Sequence, residues 1–148
     1  MLTETKNWNG ARALISSLPG RFKSRVFYQA FRRKPYDCTF WVLSDHHRLG
    51  GAMTFWRDGD RWVIGDFDTA AGTNGNAGYM VFMFLQTHSG DVELSCWDKN
   101  AESFWRYMAK KHGRNVRRIG KSREGNVRLL IQDGGNYEQQ YGSEMARI

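Results

Sequence analysis

The pattern along these 148 residues predicts an α+β fold, with a mixed, mainly antiparallel central sheet flanked by helices. Three observations predict it. Alternating runs between Cys38 and Asp68 are separated by tight-turn signals, the mark of an antiparallel meander. Apolar residues recur with helical spacing before that meander and again from Ala101 to His112. Between the meander and the next strand lie a glycine-rich turn and one long apolar element.

Taken in order, Met1 to Thr5 reads as a short edge strand. Ala11, Leu14, Ile15 and Leu18 fall at i, i+3, i+4 and i+7, an amphipathic helix that Pro19-Gly20 stops. Phe22, Val26, Phe27, Ala30 and Phe31 share one face of a second helix, which Pro35 closes. That helix carries Arg21, Lys23, Arg25, Arg32, Arg33 and Lys34, with no acid before Asp37. Such a charge run is ordinarily a solvated face, and it also offers a surface to phosphate groups. Cys38 to Leu43 is a strand, Ser44 to His47 a turn, and Leu49 to Trp56 the next strand, with Gly50-Gly51 loosening its start. Asp58-Gly59-Asp60 is a hairpin signal into the strand Trp62 to Asp68, which sets Val63, Gly65 and Phe67 on one side. His46 and His47 adjoin on a turn, and no second pair stands at metal-ligand spacing, so no metal site is expected.

Gly72, Gly75 and Gly78 follow three apart, with the small Ala70, Ala71 and Ala77 among them. If Tyr79 to Leu85 is helical, this is a strand–loop–helix junction whose free N–H groups and helix dipole suit a phosphate. If that run is a buried strand, the turn belongs to a hairpin. Both readings stand at this point. Ser89-Gly90 breaks the chain, and Val92 to Trp97 is a strand ended by Asp98-Lys99-Asn100. Ala101 to His112 is a helix with Phe104, Trp105 and Met108 inward and Gly113 as its stop. Asn115 to Ile131 reads as a hairpin turning at Ser122 to Asn126. These elements make one domain, 1–131, followed by a polar tail, 132–148.

Composition bounds the function classes. With 41% apolar and 14% aromatic residues the chain should fold rather than stay disordered. No apolar run approaches the roughly 20 residues that cross a bilayer, and the N-terminus lacks a signal-peptide pattern. Cys38 and Cys96 are expected as reduced core thiols. A cytoplasmic protein with no membrane partner is the expectation. The net charge of +7 favours an anionic partner: nucleic acid, a phosphorylated cofactor or an acidic protein. Lys110, Lys111, Arg114, Arg117, Arg118, Lys121, Arg123 and Arg128 stand among a single acid, Glu124, and would extend such a footprint.

At two points the residues resemble the GNAT acyltransferase superfamily. Gly72-x-x-Gly75-x-Ala77 is similar to that family's pyrophosphate loop, with Gly72 where the family has Gln or Arg. Asn100-x-x-Ser103-Phe104-Trp105-x-Tyr107, ending at Gly113, is similar to its Asn-x-x-Ala-x-x-Phe-Tyr…Gly pattern. The resemblance runs from about Trp41 to Gly113. It implies acetyl-CoA or another acyl-CoA as cofactor, lying in a V-shaped opening between the Trp62 and Val92 strands, and N-acyl transfer to an amine of a protein or small molecule. Backbone N–H groups at Gly75, Asn76, Ala77 and Gly78 would hold the pyrophosphate, and Asn100 the cofactor arm. Tyr107 would protonate the leaving thiolate, and N–H groups around Phe67 and Asp68 would meet the oxyanion. Arg61 stands where such proteins often carry a Glu base, which leaves Asp66 and Asp68 as candidates for that role. Ser95-x-x-Asp98 is similar to a motif of GNAT-like enzymes that modify DNA adenine, so a DNA-modifying enzyme and a non-catalytic binding module are the alternatives.

Overall fold

The computed structural model describes residues 1–19, 38–70 and 75–133. The basic second helix, Gly72 and the tail from residue 134 lie outside these. The first strand, β1, is Leu2–Thr5, and the first helix, α1, is Trp8–Ser17. The meander follows as β2 (Thr39–Asp45), β3 (Arg48–Asp58) and β4 (Arg61–Thr69). Then come α2 (Asn76–Thr87), β5 (Asp91–Cys96), α3 (Lys99–Lys111), β6 (Val116–Lys121) and β7 (Val127–Ile131). One seven-stranded sheet runs β1-β2-β3-β4-β5-β7-β6, antiparallel throughout except between β4 and β5.

The turns follow from their residues. His46 and His47 both adopt positive φ, 51° and 62°, the geometry that a two-residue hairpin of matching twist needs. The Tyr79–Leu85 run is helical, because Met80, Val81, Phe84 and Leu85 repeat at helical spacing and all four are buried. A helix there lets β4 and β5 run parallel, since a parallel pair requires a crossover. Helix α1 begins earlier than its apolar spacing suggests, because Asn7 Oδ1 accepts the Asn9 N–H at 2.8 Å and caps it. Likewise Asp98 starts α3 by accepting the Ala101 N–H at 2.8 Å. That corrects the expectation that Asp98-Lys99-Asn100 only ends a strand.

Two cores result. Under α2 and α3 lie Trp41, Met53, Phe55, Ile64, Phe84, Val92, Leu94, Trp105 and their neighbours. Under α1 lie Ala11, Ile15, Cys38, Phe40, Val42, Leu49 and Ala52. Cys38 and Cys96 are buried and form no disulfide. The His88 ring stacks on Phe84 at 4.3 Å and meets Trp62 edge-on at 4.7 Å. Among the described residues, no helix is long and apolar enough to cross a membrane.

Candidate functional site

The site begins with a register shift. In the β3–β4 ladder Met53 faces Phe67 and Phe55 faces Ile64, so Thr54 stands opposite both Gly65 and Asp66. This is a β-bulge, and it bends the strand that carries the extra residue. The fully buried Thr54 hydroxyl accepts the Asp66 N–H at 2.9 Å, satisfying a donor that the bulge draws out of the ladder. The bulge also overturns the expected alternation of Val63, Gly65 and Phe67. On either side of it, Ile64 and Phe67 both reach the core under α2 and α3.

The bulge has a second consequence. Strands β4 and β5 pair only from Arg61–Asp91 to Val63–Glu93 and separate beyond. A cleft of about 410 Å³ opens there, lined by Ile64, Gly65, Asp66, Phe67, Asp68, Leu94, Ser95, Trp97, Asp98, Ala101, Phe104 and Trp105. Its walls differ. Phe67 lies opposite Met53, on the α2/α3 face, and Asp68 lies opposite Ala52, on the α1 face. Phe67 stacks on Phe104 at 6.5 Å and 12°, so the helix-side wall is aromatic. On the other side, Thr54 Oγ1 lies 3.5 Å from Asp66 Oδ2, and Asp68 Oδ1 accepts the Thr69 N–H at 2.9 Å.

The N-terminus of α2 is positioned by two glycines. A Cβ at Gly50 would come within 2.8 Å of Asn76 Nδ2, and one at Gly51 within 2.6 Å of Met80 Sδ. Gly50-Gly51 therefore does more than loosen β3; it is the seat on which α2 docks. Asn76 Nδ2 donates to Asp45 Oδ2 at 3.3 Å and to Gly50 O at 3.4 Å, so its side chain anchors the helix. Gly75, the residue before α2, has φ 92°, and among the described residues nothing lies within 4 Å of where its Cβ would be. Among the described residues no side chain caps this terminus. A glycine at positive φ and the first-turn amides of Asn76, Ala77 and Gly78 are groups that suit an anion.

The expected site residues are thus partly assembled. Asp66, Phe67 and Asp68 line the cleft, while Gly75 to Gly78 form the helix end. Asn100 and Tyr107 lie on α3 outside the cleft lining, and Tyr107 is 62% exposed with Lys111 Nζ 5.9 Å from its ring centre. Arg61 is held by Glu93 Oε1 at 3.1 Å. Thr54 and Trp97 carried no signal in the sequence, because a bulge partner and an exposed strand-end indole show no periodicity.

Three cations of the basic stretch, Arg114, Arg118 and Arg128, are engaged internally. Arg118 and Arg106 bind the Glu102 carboxylate at 2.9 and 2.8 Å, and these two guanidinium groups hold its pKa below the usual carboxylate value. Arg128 reaches Glu93 at 2.9 Å. Arg114 donates to the carbonyls of Leu85, Gly90 and His88 at 3.0, 3.2 and 3.2 Å. Burial, and next the Glu102 charge, push the Cys96 thiol up to about 11, which disfavours the thiolate.

No protein-family model and no curated protein matches the sequence. Solved structures do match the fold. A proposed GNAT-family acetyltransferase from Bacteroides thetaiotaomicron has a TM-score of 0.56 at 10% identity, over 99% of this chain and 94% of that one. An acyl-CoA N-acyltransferase from Pseudomonas aeruginosa has 0.56 at 11%, over 90% and 99%. A proposed N-acetyl transferase from Escherichia coli, solved bound to coenzyme A, has 0.56 at 8%, over 90% and 98%. At such identities the shared property is the fold.

Proposed function

We propose that this chain, whose fold is that of the GNAT acyltransferases, is an acyl-CoA-dependent N-acyltransferase that acetylates an amine. The observation that carries the reading is the parting of β4 from β5 after Val63–Glu93. It opens a cleft whose Phe67 and Phe104 wall belongs to the core that α2 also covers. Acyl-CoA, when bound, supplies the acyl group as an activated thioester and departs as the thiol. The coenzyme-bound neighbour supports that choice of group.

The chain's own residues have these roles in the proposal. Amides of Gly75, Asn76, Ala77 and Gly78 hold the diphosphate, with Gly72 in the preceding loop, and Asn100 binds the amide-bearing arm. Backbone N–H groups at Phe67 and Asp68 polarise the acyl carbonyl. Asp66 or Asp68 takes a proton from the amine, directly or through water, and the Tyr107 hydroxyl supplies one at the thiol end. The aromatic wall of Phe67 and Phe104 keeps water from the reacting end. The test is release of free thiol from acetyl-CoA with a panel of amines, alongside calorimetric binding of acetyl-CoA. Amine-dependent thiol release is the expected result. No release with any amine, and no binding heat, would remove the reading.

A further inference from the structure

We propose that Thr54 is a positioning residue for acyl transfer: its hydroxyl pins the bulge of β4 and so holds the backbone of Phe67 and Asp68 at the cleft; this rests on the acyltransferase reading. Thr54 is fully buried, between the equally buried Met53 and Phe55 of β3. Among the described residues the other buried polar or charged side chains are Thr39 and Glu102, and Thr54 is the deepest of the three. Valine has nearly the same shape, suits a strand as well, and would bring no hydroxyl into the core. A hydroxyl at that depth needs a partner. It accepts the Asp66 N–H at 2.9 Å, and Asp66 Oδ2 lies 3.5 Å away, where its own proton can point. Both contacts go to one of the two residues that share Thr54 as their ladder partner.

What the hydroxyl fixes is register. Ile64 and Phe67 stand three apart, and a regular strand would put them on opposite faces. The bulge puts both on the α2/α3 face, with Phe67 against Phe104 and Trp105, while Asp68 falls opposite Ala52 on the α1 face. If β3 and β4 paired regularly past Ile64, every later side chain of β4 would change faces. Phe67 would leave the aromatic wall. Successive residues of a strand also aim their N–H groups at alternate edges, so the edge facing β3 and the edge facing the cleft would exchange donors. Thr54 is not among the cleft residues, and its influence on a reacting carbonyl therefore passes through the stretch from Gly65 to Asp68.

The test sets Thr54→Val, which keeps the shape and removes the hydroxyl, beside Thr54→Ser, which keeps the hydroxyl and removes a methyl. Amine-dependent thiol release from acetyl-CoA gives kcat and KM, calorimetry gives acetyl-CoA affinity, and all are read well below each protein's melting temperature. In Thr54→Val kcat should fall roughly tenfold to a hundredfold, the cost of misplacing donors at a reacting carbonyl. Thr54→Ser should stay within about threefold of the parent, and both should bind acetyl-CoA within about threefold, because the diphosphate amides lie elsewhere. A threonine that only packs would lower melting in Thr54→Ser as well and leave kcat alone in both. Parent kcat in Thr54→Val would overturn the proposal, as would a loss in Thr54→Ser as large as in Thr54→Val. Hydrogen exchange on the parent and Thr54→Ser needs no Thr54→Val protein. The Asp66 amide should be protected as the β3 ladder amides are, and exchange at the rate of an unbonded amide would overturn the proposal by itself. If the parent releases thiol and Thr54→Val matches it, this inference fails while the acyltransferase reading stands. If the parent neither binds acetyl-CoA nor releases thiol with any amine, that reading fails, and this inference with it.

Discussion

Substituting Gly75 separates a stability effect from a binding effect. Its φ of 92° and ψ of −13° place it in the left-handed region, and among the described residues a Cβ there would meet no atom within 4 Å. The cost worked here is that of backbone strain. For Gly75→Ala this is roughly 1–2 kcal/mol, or about 2–8 °C in melting temperature for a chain of this size. Gly78 is the control. It lies inside α2, its Cβ would rest 4.0 Å from Met108 Sδ, an ordinary contact, and Ala there should gain about 0.5–1 kcal/mol. The two variants should shift melting in opposite directions. Binding is tested with Gly75→Val, whose branched side chain fills the space before the amides of Asn76 and Ala77. Losing one charge-assisted hydrogen bond to the diphosphate weakens acetyl-CoA at least about tenfold. Calorimetry on protein shown to be folded by circular dichroism reads this. A Gly75→Val protein with the expected loss of stability and unchanged acetyl-CoA affinity would refute the role given to this helix end.

Two other perturbations have defined outcomes. Tyr107→Phe should lower kcat several-fold, leave acetyl-CoA affinity intact and leave melting unchanged, because the residue is 62% exposed; equal kcat in both proteins would exclude the hydroxyl as proton donor. His88 gives a pH effect. Burial among aromatic rings lowers its pKa, against smaller opposing effects of the Phe84 carbonyl and Glu4. The unfolded chain then binds the proton more readily, so stability falls as pH drops below about 6.5 towards the folded value. Melting of the parent should decline more steeply than that of His88→Gln between pH 7 and pH 5, and parallel curves would contradict the desolvation argument.

Local pattern carried most of the architecture. The spacing of Ala11, Leu14 and Ile15 marked α1, and the Ser122 to Asn126 turn marked the closing hairpin, because each depends on residues adjacent in sequence. What the sequence did not reveal arises from contacts between distant segments. Period-two reading assumes a regular strand, so it put Gly65 with Val63 and Phe67, whereas Thr54 on a neighbouring strand creates the bulge. Gly50-Gly51 is a helix seat only once α2 is present. The run of cations from Lys110 to Arg128 looked like a polyanion footprint, yet Glu102, Glu93 and three carbonyls engage Arg118, Arg128 and Arg114. Asn76 was expected among the phosphate ligands, and its side chain is held by Asp45 and Gly50, which leaves its amide for that task.

Amide NMR on ¹⁵N-labelled protein titrated with acetyl-CoA tests the central claim most directly. Saturable shifts are expected at Gly65 to Asp68, at Gly75 to Gly78 and at Leu94 to Asp98, the two lips of the cleft and the helix end above it. A titration that leaves those three stretches unmoved, or that shifts only residues of the basic surface such as Arg117 and Lys121, would contradict it.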